Sequence, residues 1–286
     1  MEKHAYLILA HNNFYNLEKL LLMLDDERND IFLHIDKKVR AFDTKAFTSL
    51  CKRSGVYFVK NRVSCGWGHH SLVQAELRLF AAAARRGNYR YYHLLSGADL
   101  PLVSQDVIHA FFADKTADYM ECDSVDLPDN KKRISTYRYV FGRNTDRQRL
   151  YSEYADILQR KLKVDRLKRL PWPVRKGAQW VSLTNDSVRL LLKKRGIIRR
   201  FTRFSWCVDE VYKQTVLIGC GRPYVNDNLR FIDWTRSGNG HPHVFAMGDL
   251  EDLLDSSKLF ARKFDENKDR QVIDRIYHHT MGKAGD

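Results

Sequence analysis

Two carboxylates stand side by side at Asp209 and Glu210, between Trp206-Cys207 and the apolar Val211, Tyr212, Val216 and Leu217. A carboxylate held among apolar neighbours can act as a general base on an acceptor hydroxyl. Carboxylates in the first turn of a helix also simply stabilise that helix, and position alone leaves both readings open. A cationic knot, Arg262-Lys263, lies between Phe260 and Phe264. Alternation would bury the phenylalanines and turn one cation inward, where a charged head on a half-buried stem suits a diphosphate. An exposed charge pair is the plainer alternative. Arg236, after Asp233-Trp234, is a second cation of the same kind. Asp36 and Asp99 each close an apolar run. Such carboxylates could bind ribose hydroxyls, a base or a metal, although aspartate is also an ordinary turn residue.

Metal chemistry finds little support in the residue spacing. No Asp-x-Asp occurs, and Asp227 has only asparagines beside it. The histidines at 69–70, 241/243 and 278–279 are irregularly spaced and lack a glutamate at helical distance, so no metal site is expected. Five cysteines (51, 65, 122, 207, 220) are odd in number and form no Cys-x-x-Cys. Reduced thiols are the expectation, with no disulfide framework.

These residues need elements to position them. The central stretch runs from Ser64 to Ser104. A glycine-rich turn, Cys65-Gly66-Trp67-Gly68, leads to a helix with Ser71 as N-cap and Arg85-Arg86-Gly87 at its end. Tyr91 to Leu95 then reads as a buried strand ending in Ser96-Gly97-Ala98-Asp99, which delivers a carboxylate and backbone N–H groups to a sheet edge. Upstream, a strand at His4–Ala10 ends at His11, and Asn16 caps the following helix. Strands at Ile31–Asp36 and Val56–Val59 flank a helix at Thr44–Arg53. Strand alternating with helix predicts βαβ units and a mostly parallel sheet, with ligands at the carboxyl ends of its strands.

Beyond Pro101 the pattern predicts a helix at Gln105–Phe112 and a strand at Tyr119–Cys122. A polar segment at 123–149, with arginines and tyrosines interleaved, is expected to face an acceptor. A basic amphipathic helix spans Leu150–Leu170, with Leu150, Tyr154, Ile157, Leu158 and Leu162 on one face. Then come a strand at Gly177–Leu183 containing Trp180, a helix at Asp186–Lys194, a helix opened by Asp209-Glu210 and running to Ile218, and a last helix ending at His279. One domain over 1–286 is expected, with a nucleotide-binding half near 1–115 and an acceptor-binding, catalytic half near 116–286.

The 286 residues are 44% hydrophobic, enough for a sizeable core. No apolar run approaches the ~20 residues that cross a bilayer. The run Ala5–Ala10 is too short for a secretory signal and precedes no cleavage site, so a cytoplasmic location is expected. With 49 basic against 35 acidic residues, the formal charge is +14, which attracts nucleic acid, anionic membrane or phosphorylated ligands. The basic 160–176 segment fits a solvated face or a footprint on anionic lipid. It lacks any zinc module or RNA-binding signature, so nucleic acid is not expected as a partner.

Taken in order, the motifs resemble a known family. They are His-Ile-Asp (34–36), Trp-Gly-x-x-Ser-Leu-Val-x-Ala (67–75) and Leu-Ser-Gly-x-Asp-x-Pro-Leu (95–102), then Gly-Ala-Gln-Trp (177–180), Val-Asp-Glu (208–210) and Phe-Ala-Arg-Lys-Phe-Asp (260–265). Together they resemble the core-2/I-branching β-1,6-N-acetylglucosaminyltransferases, which also hold the peptide O-xylosyltransferases, and most closely their shorter bacterial forms. The resemblance covers about Ala5 to Asp265. It implies an α/β, GT-A-like nucleotide-sugar-binding fold with a mostly parallel central sheet flanked by helices. It also implies inverting transfer from a UDP-sugar with no divalent metal or other cofactor.

Carried over by position, Glu210 matches the base and Lys263 the lysine that holds the donor diphosphate, with Arg236 beside it. His11 and Asp36 fall at the uridine end. Trp67, Ser96 and Asp99 join them as donor-binding residues, and Asp209 and Trp180 as acceptor-binding ones. The expected reaction moves N-acetylglucosamine to a glycan hydroxyl, on a lipid-linked precursor of bacterial surface polysaccharide, with peripheral contact to anionic membrane. A UDP-xylose-dependent transferase and a non-catalytic nucleotide-sugar or polyanion binder are the alternatives.

Overall fold

The structure is a computed structural model, and it describes residues 2–123, 128–138, 146–236 and 241–282. Strand β1 (His4–Ala10) leads through α1 (Phe14–Met23) to β2 (Asn29–Ile35). Helix α2 (Thr44–Leu50) leads to β3 (Gly55–Phe58), and α3 (His70–Arg86) to β4 (Tyr91–Ser96). These four strands pair in parallel in the order β3-β2-β1-β4. Alternate residues of β1 feed two cores. Tyr6 and Ile8 pack with α1 residues such as Leu17, Leu20 and Leu21. Ala5 and Leu7 pack with Val73, Leu77 and Phe80 of α3. Covering both faces is what a parallel sheet requires, and it explains the unbroken apolar runs of β1 and β4.

The chain continues through β5 (Asp99–Pro101), α4 (Gln105–Phe112), β6 (Asp118–Tyr119), α5 (Pro128–Ser135) and α6 (Asp146–Lys161). Then follow β7 (Ser182–Thr184), α7 (Asn185–Lys193), α8 (Arg195–Thr202), α9 (Tyr212–Gly219), β8 (Tyr224–Val225), β9 (Arg230–Ile232), α10 (Leu250–Leu254), β10 (Phe260–Arg262) and α11 (Arg270–Thr280). The main sheet extends to β3-β2-β1-β4-β7-β6-β8, with β7 antiparallel to both its neighbours. A second sheet, β5-β10-β9, carries β10 antiparallel to β5, with Arg262 opposite Asp99. The expected α/β architecture, a mostly parallel sheet flanked by helices, is the one observed.

Several local expectations are corrected. Asn13, in the left-handed region, precedes α1, and Asn16 lies inside the helix, donating its amide to the Gly97 carbonyl at 2.7 Å. The N-cap of α3 is His69, whose Nδ1 accepts from the Ser71 N–H at 3.1 Å. The strands expected at 119–122 and 177–183 shrink to Asp118–Tyr119 and Ser182–Thr184.

The basic helix does not run through to Leu170. It stops at Lys161, Lys163 takes a left-handed φ of 50°, and Asp165 caps a separate 3-10 turn, Arg166–Arg169. Its apolar face also points away from the protein. Leu150, Tyr154, Ile157 and Leu158 are 45–65% exposed, whereas Gln159 is buried and bonds the Tyr137 backbone through both amide atoms. Of the 123–149 segment expected at an acceptor, residues 124–127 and 139–145 lie outside the described residues.

Candidate active site

Glu210 ends a single 3-10 turn, Val208–Glu210, and α9 begins only at Tyr212. The pair therefore does not cap a helix, as the sequence allowed. The turn is anchored by buried Val208 and by the Cys207 N–H, which donates to the Gly68 carbonyl at 2.8 Å. Gly68 has φ of 63°, and a Cβ there would sit 3.0 Å from the Cys207 sulfur and 3.2 Å from the Trp206 ring. Glycine is needed here for both conformation and space. The neighbouring Trp67 is 61% exposed and meets Trp206 edge-on at 4.9 Å. An aromatic wall thus borders the carboxylates.

The two carboxylates have opposite surroundings. Glu210 is partly exposed; Arg133 Nη1 donates to its Oε2 at 2.8 Å. Asp209 points inward and its Oδ1 has no hydrogen-bond partner among the described residues. Burial, with Glu76 and Glu210 nearby, pushes its carboxyl up to about 7, against the opposing pull of Lys213. Beneath the turn lies a fully buried ion pair, Lys213–Glu76, at 2.7 Å. Lys213 also donates to the Asp209 carbonyl at 2.8 Å, and Tyr212 and Gln179 donate to Glu76 at 2.6 and 2.8 Å. The network holds the turn from below.

The other candidates gather at the carboxyl ends of β1, β2, β4 and β10. Asp36 is buried and accepts from the backbone N–H groups of Lys38 (2.8 Å) and Cys65 (3.0 Å), so it shapes the loop that carries Trp67. Asp99, fully buried, accepts from the Ser96 hydroxyl (2.6 Å), the Ser96 N–H (2.8 Å) and Arg262 Nη1 (2.8 Å). Lys263 follows Arg262 and is half-buried; its carbonyl accepts from the Phe245 N–H at 2.9 Å, but its ammonium makes no hydrogen bond or ion pair among the described residues. Burial and the adjacent Arg262 lower its affinity for a proton, which Asp265 partly offsets. His11 lies on the exposed side of this group. Its imidazole is held below the ordinary value by desolvation first; Asp36 opposes this, and Lys38, Lys263 and Arg262 add to it. One histidine ring, at the end of β1, thus senses charges from the ends of β2 and β10.

Trp180 is buried beneath Arg262, whose guanidinium carbon lies 4.4 Å from the ring centroid. Three residues upstream, the Gly177 N–H donates to the Glu210 carbonyl at 2.9 Å. Three residues span at most ~11 Å. The Gly177–Trp180 segment therefore brings the Glu210 turn and the Arg262-Lys263 knot to one end of the sheet. Arg236 stands differently: it is held by Asp233, by Asp249 at 2.6 Å and by Asp252 at 3.4 Å. Any diphosphate would compete with three carboxylates for it. Among the described residues no group of three or more His, Cys, Asp or Glu side chains is arranged to hold a metal ion.

Sequence reasoning missed Arg133, Arg262 as the partner of Asp99, and the Glu76–Lys213 pair. A signal existed for Glu76, which falls three residues after Val73 and four before Phe80, on the buried stripe of α3. No local pattern marks Arg133, or joins Arg262 to Asp99 across 163 positions.

In sequence the chain is similar to a β-glucuronosyltransferase of Arabidopsis thaliana, at 24% identity over 300 residues, covering 95% of this chain and 64% of the plant protein. It thus spans less than two thirds of that relative's length. A human N-acetyllactosaminide β-1,6-N-acetylglucosaminyl-transferase is 24% identical over 291 residues, covering 92% of this chain and 68% of the human one. Among solved structures, the apo WbbM bifunctional glycosyltransferase superposes with a TM-score of 0.40 at 11% identity, over 78% of this chain and 39% of that one; a score this low carries no argument. The profile of the Core-2/I-Branching enzyme family matches residues 4–254, and the chain belongs to that family.

Proposed function

We propose that the protein is an inverting glycosyltransferase of GT-A-like fold that moves N-acetylglucosamine from a UDP donor to a glycan hydroxyl, without a divalent metal. The observation that carries this reading is Lys263, a half-buried ammonium in no ion pair among the described residues, beside Arg262 and at the same sheet end as Glu210. Loss of UDP from an anomeric carbon builds negative charge on the diphosphate, and a preplaced cation stabilises that charge. Glu210 is the general base. Arg133 holds Oε2, and Oε1, with no partner among the described residues, takes the acceptor proton. One displacement, with base and leaving group on opposite faces of the sugar, inverts the anomeric centre. The N-acetylglucosaminyl choice rests on the human relative. The plant relative makes UDP-glucuronate the competing donor to test.

UDP release in EDTA with UDP-GlcNAc, UDP-glucuronate, UDP-xylose and UDP-glucose, wild type beside Glu210→Gln, tests the proposal. Metal-independent release from UDP-GlcNAc, reduced ~10²–10⁴-fold in the variant, is expected. Release only with added manganese would overturn the cationic leaving-group role.

The acceptor is proposed to be a lipid-linked glycan met at an anionic membrane surface. The outward apolar face of α6, next to Arg160, Lys161, Lys163, Lys168 and Arg169, supports this. An apolar stripe rimmed by cations suits the headgroup boundary. No helix among the described residues is long and apolar enough to cross a membrane. Co-sedimentation should favour anionic over neutral vesicles, and equal binding to both would end this part of the reading.

A further inference from the structure

We propose a second anion site, on the outer flank of α3, that takes a ligand bearing two or more phosphate groups. A cavity of about 850 Å³ lies between the end of β3, α3 and the start of α8, within the size range of small-ligand sites. None of the candidate active-site residues lines it. Six cations do: Lys60, Arg78, Arg85, Arg86, Arg195 and Arg199, with no carboxylate among the lining residues.

None of the six forms an ion pair among the described residues. Elsewhere arginines find carboxylates: Arg28 with Asp26, Arg90 with Glu2, Arg222 with Asp186, Arg262 with Asp99. Six like charges facing one concavity repel each other, and a multivalent anion relieves that repulsion. Two of the cations are already oriented. Arg78 Nη1 donates to the Asn61 carbonyl, and Arg86 lies 4.6 Å over the Tyr57 ring. Five of the six are arginines, whose planar fork matches phosphate oxygens. Arg78 and Arg86 are eight helical residues apart, ~12 Å along the axis, so the charge is spread for more than one phosphate. Leu77, Leu192 and Tyr57 add an apolar wall for the organic part of such a ligand.

The test is pyrophosphate titration by calorimetry at low salt, in a Lys263→Ala background that silences the active-site cation. Saturable 1:1 binding is expected, weakening as salt rises. The further double reversal Arg86→Glu/Arg199→Glu should weaken it at least ~10-fold, with an unchanged circular dichroism spectrum. The control Lys45→Glu/Lys52→Glu, at two exposed lysines outside the cavity and outside the proposed membrane face, makes the same change in net charge and should leave affinity within ~2-fold. No saturable binding, or equal weakening by the control, would overturn the proposal, the latter reducing it to attraction by overall charge. Vesicles of cardiolipin, whose headgroup carries two phosphates, in phosphatidylcholine identify the phosphate's source. Loss of vesicle binding in the Arg86/Arg199 variant alone assigns the site to a lipid headgroup. Retained vesicle binding with lost pyrophosphate binding assigns it to a soluble ligand.

Discussion

Replacing Lys213 by methionine tests the foundation of the Glu210 turn. Methionine keeps most of the stem but deletes the ammonium that donates to Glu76 at 2.7 Å and to the Asp209 carbonyl at 2.8 Å. Both members of the ion pair are fully buried. Glu76 would keep Tyr212 and Gln179 as donors but lose its only ion-pair partner among the described residues. Removing one partner of a buried pair costs ~3–5 kcal/mol, because the other charge stays desolvated. An unfolding entropy of ~2.1 cal/mol/K per residue, over 286 residues, amounts to ~0.6 kcal/mol/K. The expected drop in Tm is therefore ~5–8 °C, read by circular dichroism at pH 7. Glu76→Gln/Lys213→Met removes both charges together and should recover at least ~2 kcal/mol of the loss. A Tm within ~2 °C of wild type for the single variant, or a double variant no more stable than the single one, would refute the reasoning.

Asp209 makes stability depend on pH. Its carboxyl titrates near 7 in the folded protein against 3.8 ordinarily, so the folded state holds the proton more tightly. Its contribution is most favourable below about pH 4 and is lost as pH rises toward about 7. Asp209→Asn should therefore gain ~2–3 kcal/mol relative to wild type between pH 5 and 8, seen in urea unfolding at the two pH values; a constant difference would contradict the buried carboxylate. Lys263→Ala should lower kcat for sugar transfer by ~10²–10³-fold if the ammonium meets the leaving group, and a change in KM alone would count against that role. Gly68→Ala combines a left-handed φ with contacts of 3.0–3.2 Å and should cost at least ~1 kcal/mol. It should also reduce activity through the Cys207 hydrogen bond, and a variant as stable as wild type would contradict the close packing.

The first hundred residues were legible because their signals are local and agree. Apolar runs of strand length alternate with 3.6-period helices, and the structure has β1, β2, β3 and β4 within a residue or two of expectation. Helix α4 was equally clear, since Ser104 caps it and Phe112 ends its apolar stripe. The site was legible only in outline. Their place at the ends of apolar runs marked Asp36 and Asp99 as strand-end carboxylates, but not that backbone N–H groups and Arg262 already occupy them. Asp209-Glu210 read as a helix start because adjacent carboxylates favour first turns. The observed 3-10 turn depends on a hydrogen bond to Gly68, 139 residues away. Helix α6 was read too long: its periodicity over 150–162 was right, but the basic run beyond Lys161 carries no local sign of the left-handed Lys163 and the Asp165-capped turn that end it.

The pairing of Arg262 with Asp99 also orders events in time. Asp99 opens β5, directly after the four parallel strands, and its arginine arrives only with β10, 163 residues later. During synthesis from the amino terminus β1 to β4 can pair first, while Asp99 still lacks its arginine and Lys263 is not yet made. Docking of β10 therefore pairs that aspartate and brings in both cations in one event. A nascent chain that stalls before residue 260 would carry the parallel strands and none of the Arg262-Lys263 knot, so under the role proposed for Lys263 it would lack the cation that meets the leaving group.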